Sequence, residues 1–324
     1  MKKSTKFLSI LMAAVMMTSV TACGSAENNA NAEYNVGVCQ LVEHPALDEA
    51  TKGFEDALKE KLGDKVYVDI KNAQNDSPTC STITNTFVSN EYDLILANAT
   101  PALQAASAST SEIPILGTSI TDYATALGIT DWKGTTGMNI SGTSDLAPLD
   151  KQAECIKELF PDAKNIGILY CSAEPNSKYQ SDVIQGYLSD MGYTCKEYTF
   201  ADSNDVATVT QSACDGSDVI YIPTDNTAAN CTEAINNVAL PAKTPIFAGE
   251  SGICSGCGVA TLCIDYYDIG YTAGEMAYEI LVNGANPATM EIKTAPEVTK
   301  KYNKANVEAL GITIPEGYEA IDAE

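Results

Sequence analysis

The chain has 324 residues, enough for two domains of ordinary size. It carries 43 acidic against 19 basic side chains, for a formal charge of −24; an acidic body of this kind repels phosphate and excludes nucleic acid as a partner. There is no arginine, so a ligand carboxylate has to be held by backbone N–H groups, hydroxyls or a lysine rather than by a guanidinium fork.

Residues 1–22 read as a signal peptide. Lys2, Lys3 and Lys6 form a positive start, and Phe7 to Val20 is an apolar run too short for a membrane span. Val20-Thr21-Ala22-Cys23 looks like a bacterial lipobox, which implies a diacylated Cys23 and a membrane anchor. The rest of 23–33 is rich in Asn, Ala and Ser and reads as a flexible tether.

The folded body opens with a β-prone run, Tyr34 to Val42. After a short loop, Leu47, Thr51, Phe54, Leu58 and Leu62 fall at spacings of three and four. That spacing is the stripe of an amphipathic helix, and Gly63 stands where a helix stops. Val66–Ile70 alternates as a strand, and Ser77-Pro78 reads as cap and first residue of a helix. Tyr92–Ala99 is a buried-type strand, and Thr100-Pro101 opens the next helix by the same device. Ile113–Gly117 is another strand, ending at Thr118, Ser119 and Asp122.

A second series follows Gly137–Gly142. Leu146–Phe160 is predicted helical, Asn165–Cys171 a strand and Glu174 to about Met191 a helix. Next come strand Thr194–Phe200, helix Asp205–Cys214, strand Val219–Asp225, a helix from Asn226 and strand Pro245–Glu250. Strands alternating with helices predict parallel sheets with right-handed crossovers. The two series match element for element, so they predict two similar lobes. The stripe Ile269, Ala273, Met276, Ala277, Ile280 and Leu281 is assigned to a helix of the first lobe, and Met290–Val298 to a strand of the second.

Ten cysteines remain after Cys23. An exported chain permits disulfides, yet Cys39 and Cys171 sit in apolar strands where cysteine acts as a small hydrophobe. Cys254-Ser-Gly-Cys257 is compatible with a local disulfide, half of a metal site or two plain thiols. With no second Cys-x-x-Cys and one distant histidine, no metal is expected. A Gly-x-Gly-x-x-Gly and a Gly-Lys-Ser/Thr loop are both lacking, so neither a cofactor nor an enzymatic role is expected.

Several stretches together carry a resemblance: Gln40–Asp48, Asn72–Asn75, Ala99–Ala102, Glu174–Ser177, Pro223–Thr227 and Asp265–Gly270. On these the chain is similar, over nearly all of its exported length, to ABC-transporter substrate-binding lipoproteins of the tryptophan/tyrosine-binding type. It departs at Thr121–Ala124, with Tyr123 where the family usually shows Asp-Pro. The resemblance implies an α/β fold of two Rossmann-like lobes with parallel sheets joined by a hinge, type I periplasmic-binding-protein-like. The lobes are expected at 34–143 plus 267–289 and 144–266 plus 290–324. The implied role is an extracytoplasmic solute-binding component that closes on an amino acid, aromatic by preference, and hands it to a membrane permease. A monomer is expected. The alternatives are a ligand sensor of the same fold and a receptor for a non-aromatic metabolite.

Site residues follow from helix starts and strand ends. Thr100, Ser177 and Asn226 are expected as caps whose free N–H groups hold the ligand carboxylate, helped by Thr118 and Ser119. Asp225 and Glu250 are expected to take the ligand ammonium. Tyr123, Tyr179, Tyr266 and His44 are candidate walls for an aromatic ring. Gln40, Asp122, Glu174, Asn176 and Asp265 complete the set from the loops at the strand ends.

Overall fold

The computed structural model describes residues 32–321. The signal peptide, Cys23 and nearly all of the tether lie outside them. In the first lobe the chain runs β1 (Tyr34–Gln40), α1 (Pro45–Leu62), β2 (Val66–Asn72), α2 (Ser77–Ser89), β3 (Leu94–Asn98), α3 (Thr100–Ser109), β4 (Ile115–Ile120), α4 (Tyr123–Leu127) and β5 (Ile140–Ser144). The second lobe has α5 (Leu149–Leu159), β6 (Asn165–Cys171), α6 (Pro175–Asp190), β7 (Thr194–Phe200), α7 (Val206–Gly216), β8 (Val219–Ile222), α8 (Asn226–Ala229), α9 (Thr232–Ala242), β9 (Ile246–Ala248), α10 (Ser251–Gly256) and β10 (Ala260–Cys263). The end of the chain adds α11 (Tyr266–Asn283), β11 (Lys293–Thr294), β12 (Thr299–Tyr302), α12 (Lys304–Leu310) and β13 (Glu319–Ala320).

The sheets run β2-β1-β3-β4-β5-β11 and β7-β6-β8-β9-β10-β12-β13. Their first five strands have the same order and are all parallel; only β10–β12 is antiparallel. This order reverses beside β1 and β6, and ligands of open α/β sheets bind at such switch points, outside the carboxyl ends of the strands. Register brings Gln40, Asn72 and Asn98 level at that edge of the first sheet.

Helices cover both faces because the strands are apolar on both. Val36, Val38, Leu94 and Leu96 pack with Phe54 and Leu58 of α1 on one side, and Cys39, Ile95 and Ala97 pack with Phe87 and Leu103 on the other. Each fully buried Val, Leu, Ile or Phe of this set contributes roughly 1.5–3 kcal/mol. Helix α11 joins the first face through Ala273, Met276 and Ala277. It meets α1 at glycines: a Cβ on Gly270 would stand 1.9 Å from the Ala50 carbonyl oxygen, and one on Gly53 2.2 Å from that of Tyr267. Only glycine lets two helices approach so closely.

Several boundaries differ from expectation. Strand β5 extends to Ser144, and α5 starts at Leu149 because Leu146–Pro148 is used to cross between lobes. The stretch expected as one strand of the second lobe, Met290–Val298, splits. Lys293–Thr294 pairs with Thr143–Ser144 in the first sheet, and the chain then crosses a third time to β12. Two exposed polar residues carry no alternation by which a strand could be read; the neighbour β5 alone makes them one.

The expected caps also shift by one to three residues. Asp76, not Ser77, caps α2 by accepting from Thr79 N at 2.9 Å. The cap positions of α3, α6 and α8 are Ala99, Glu174 and Asp225, so Thr100 and Asn226 are first helical residues and Ser177 lies within the first turn. Asp76 and Asp225 are extended and reach forward with a carboxylate, which caps as well as a hydroxyl, whereas Ala99 and Glu174 make no side-chain cap to their own helices. All ten described cysteines are free thiols, seven of them buried. No helix among the described residues is long and apolar enough to cross a membrane.

Candidate functional site

The carboxyl edges of the two sheets face each other across a cleft. From the first lobe it is lined by His44, Leu47, Ser119, Thr121 and Asp145, and from the second by Asn176, Thr224, Asp225, Asn226, Ala229 and Glu250. Tyr266, the first residue of α11, closes one side. The cavity is about 10 Å3, room for roughly one water, so an amino acid enters only when the lobes part.

Among the described residues, three side-chain hydrogen bonds cross the gap. His44 Nε2 meets Asn226 Oδ1 at 3.4 Å, Asn75 Nδ2 donates to Thr227 Oγ1 at 3.1 Å, and Gln180 Nε2 donates to Thr121 Oγ1 at 3.4 Å.

Most of the acids here are already committed. Glu174 accepts from the backbone N–H groups of Asn226 and Thr227 at 3.0 and 2.8 Å and from both side chains at 2.7 Å, so it fills the start of α8. Asp225 accepts from Cys171 N, Ser177 Oγ and Ala228 N, each at 2.7 Å. Glu250 accepts from Gly252 N at 2.6 Å and from Ile253 N. The start of α8, where Asn226 was expected to hold a ligand carboxylate, is filled by the protein's own Glu174 and Asp225, and the oxygens of Asp225 and Glu250, expected for a ligand ammonium, already accept from protein N–H and O–H groups.

Asp145 is different. Its side-chain donors are two hydroxyls, Tyr266 Oη at 2.9 Å and Thr121 Oγ1 at 3.2 Å, beside its own backbone N–H. Burial without a cation pushes its carboxyl up to about 6. Burial pushes Glu250 up to about 7; burial and the neighbouring Glu174 push Asp225 up to about 8. The residues lining the cavity include no lysine. Three buried polar atoms of the lining have no hydrogen-bond partner: His44 Nδ1, Ser119 Oγ and Asn176 Oδ1. An unpaired buried polar group costs roughly 1–3 kcal/mol, and three around one cavity mark a surface shaped for something polar. Ser119 also has φ +56°, and Ala99, which donates to Thr118 O at 3.1 Å, has φ +89°. Both strand ends thus hold non-glycine residues in the left-handed half of conformational space, a strain that gathers at binding sites.

Of the residues expected from sequence, Ser119, Asn176, Asp225, Asn226 and Glu250 line the cavity, as do His44 and Tyr266. The others do not. Gln40 is tied within its own lobe, donating to Asp48 at 2.6 Å and accepting from Thr51 at 2.6 Å. Thr118 accepts from Thr143 between β4 and β5. Asp122 caps α4 through Thr125 N, and Asp265 caps α11 through Asp268 N. Thr100, Glu174, Ser177 and Tyr179 stand outside the lining. Tyr123 is a core residue, not a wall: it is 2 % exposed, and its hydroxyl donates to Thr143 O at 3.1 Å against Gly117 and Gly142. Asp145 is absent from the sequence-derived set. Its one signal is an isolated acid directly after a strand of small and hydroxyl residues, where the chain changes lobes.

A larger groove of about 660 Å3 lies beside the connections, between Pro45 and Glu49 of α1 and Ser251 and Ser255 of α10. Size favours it, but none of the unpaired buried atoms lines it. Chemistry therefore favours the smaller cavity.

The profile of the family described as ABC transporter substrate binding protein matches residues 35–321. The chain belongs to this family. Such substrate-binding proteins are extracytoplasmic binding components of ABC transporters, not enzymes. The chain is 40% identical, over 96% of its length and 93% of the other's, to a tyrosine-binding protein of Clostridioides difficile strain R20291. It is similar to an ABC domain from Streptococcus pneumonia solved in complex with L-Trp, at 33% identity and a TM-score of 0.84 over 89% of this chain and 99% of that one. A Clostridium difficile substrate-binding protein with adhesive properties, in a ligand-free, open structure, is 37% identical but has a TM-score of 0.69, over 90% and 100%. This substrate-binding protein is thus nearer in overall shape to the tryptophan-bound relative than to the open one.

Proposed function

We propose that the chain captures an aromatic amino acid, tyrosine or tryptophan, in the interlobe cleft and delivers it to a membrane permease. The observation that carries this reading is Asp145, a buried carboxylate whose side-chain donors are two hydroxyls, in a cavity lined by no lysine. A ligand ammonium supplies the missing charge and pulls the carboxyl back to its ionised form. Ser119 Oγ, unpaired at the end of β4 and aimed into the lining, takes the ligand carboxylate. The ring then extends toward His44, Asn176 and Asn226. Relatives named for tyrosine binding and solved with L-Trp support the ligand class.

Closure brings the lobes together on the ligand, and the closed form docks on the permease as a monomer. Cys23 is the lipid attachment site that keeps the protein at the membrane. Thermal-shift and calorimetric titration of the purified protein against the amino acids tests the reading. At a hundred times its dissociation constant a ligand stabilises by about 2.7 kcal/mol. No shift with tyrosine or tryptophan overturns the aromatic assignment.

A further inference from the structure

The only histidine of the chain sits at the cleft, 7 % exposed, at the start of α1. Its ring state follows from its neighbours. Asn226 Nδ2 donates to Glu174 Oε2 at 2.7 Å, which fixes the amide so that Oδ1 faces His44. Oδ1 only accepts, so His44 Nε2 carries the hydrogen. Burial holds the imidazole below its usual range, against the opposing pull of Asn226, Asp48 and Glu174. In the neutral ring Nδ1 is therefore a bare acceptor, and it has no partner in the protein. Asn176 is in the same position across the gap. Its Nδ2 donates to Glu174, Ser177 and Thr224, leaving Oδ1 bare. The ring end of the cleft is thus lined by acceptors awaiting a donor.

We infer that His44 Nδ1 accepts a hydrogen bond from the ligand's aromatic side chain, so that the site selects rings carrying an O–H or N–H donor over phenylalanine. The inference rests on the reading of an aromatic amino acid in the cleft. Tyrosine's phenol and tryptophan's indole each offer one donor at the ring's far end; phenylalanine offers none and leaves Nδ1 buried and unpaired. A buried hydrogen bond of this kind separates the two classes by about tenfold.

Because the chain holds one histidine, selective 15N-histidine labelling gives two ring resonances and no overlap. Tyrosine is expected to shift the Nδ1 resonance as an accepted hydrogen bond does, with the ring still neutral, while phenylalanine leaves Nδ1 unchanged. In parallel, His44→Gln keeps an amide N–H toward Asn226 and moves the side chain's acceptor, now the amide oxygen, off the Nδ1 position. The tyrosine-to-phenylalanine affinity ratio, about ten in the native protein, is expected to fall toward one. Equal Nδ1 shifts with both ligands, a ring that becomes imidazolium on binding, or an unchanged ratio in the variant overturns the inference while the aromatic reading stands. If neither amino acid binds, both fall together. Should His44→Gln fail to fold, the labelled native protein decides alone.

Discussion

Tyr266 donates its hydroxyl to Asp145 at 2.9 Å, and the two residues come from different connections between the lobes. Asp145 follows β5 where the chain first crosses; Tyr266 opens α11 where it returns. The group proposed to hold the ligand is therefore bonded across the hinge itself, so occupancy and lobe geometry act on the same two side chains.

Asp145→Asn keeps the shape and both hydroxyl partners but removes the charge. Calorimetry should show amino-acid affinity falling by roughly 2 kcal/mol or more, about thirtyfold. The ligand-free melting temperature should hold or rise, because a buried uncompensated carboxyl is lost. Unchanged affinity would place the ammonium elsewhere.

The pH dependence has opposite signs with and without ligand. Asp145, Glu250 and Asp225 have folded values of about 6, 7 and 8, all above the value near 4 of an unfolded carboxyl. Between those limits the folded protein holds protons the unfolded chain has shed. That stability is fully present below about pH 4 and is lost as pH rises through 6 to 8. The ligand-free protein should therefore melt higher at pH 5 than at pH 8, Asp145 alone contributing about 1.4 kcal/mol over that span. Ligand affinity should run the other way, weakening below pH 6 as Asp145 takes a proton and no longer attracts the ammonium. Melting curves with and without tyrosine across this span check both signs.

The α1–α11 contact gives a paired test of packing. Gly270→Ala sets a methyl 1.9 Å from the Ala50 oxygen and should destabilise by about 3 kcal/mol. Gly186→Ala, within α6 with nothing inside 4 Å, should stabilise by about 0.5–1 kcal/mol through helix propensity alone. Urea unfolding of both variants reads the contrast, and equal effects would refute the close approach.

Asn75 joins the lobes through Thr227 from a backbone at φ +61°. Asn75→Gly accommodates that backbone and deletes the bond. Affinity should weaken a few-fold through a population shift toward the open form, visible as a larger ligand-free radius of gyration by X-ray scattering. No change in either would mean that the bond carries no closure energy.

Much of the fold is legible in the order of residues. Helix stripes such as Leu47–Phe54–Leu58 and apolar runs such as Ile166–Cys171 bury their side chains wherever a sheet is offered, so local periodicity is enough to draw two matching series. The caps were harder: a serine before a proline reads as a cap, yet Asp76 one residue earlier wins because its carboxylate reaches Thr79 N and Oγ1 together.

The alternation of strand and helix, the duplication into lobes, the acidic composition and the family can all be read along the chain. Which polar groups are spent and which keep their capacity depends on the folded arrangement. Asp225, Glu250 and Asp145 look alike along the chain. Two of them meet helix N–H groups within three residues and are consumed, whereas Asp145 meets hydroxyls from residues 24 and 121 positions away and keeps its capacity for a ligand. Hydrogen bonding acts over about 3 Å, and which atoms come within that reach is set by segments distant in sequence.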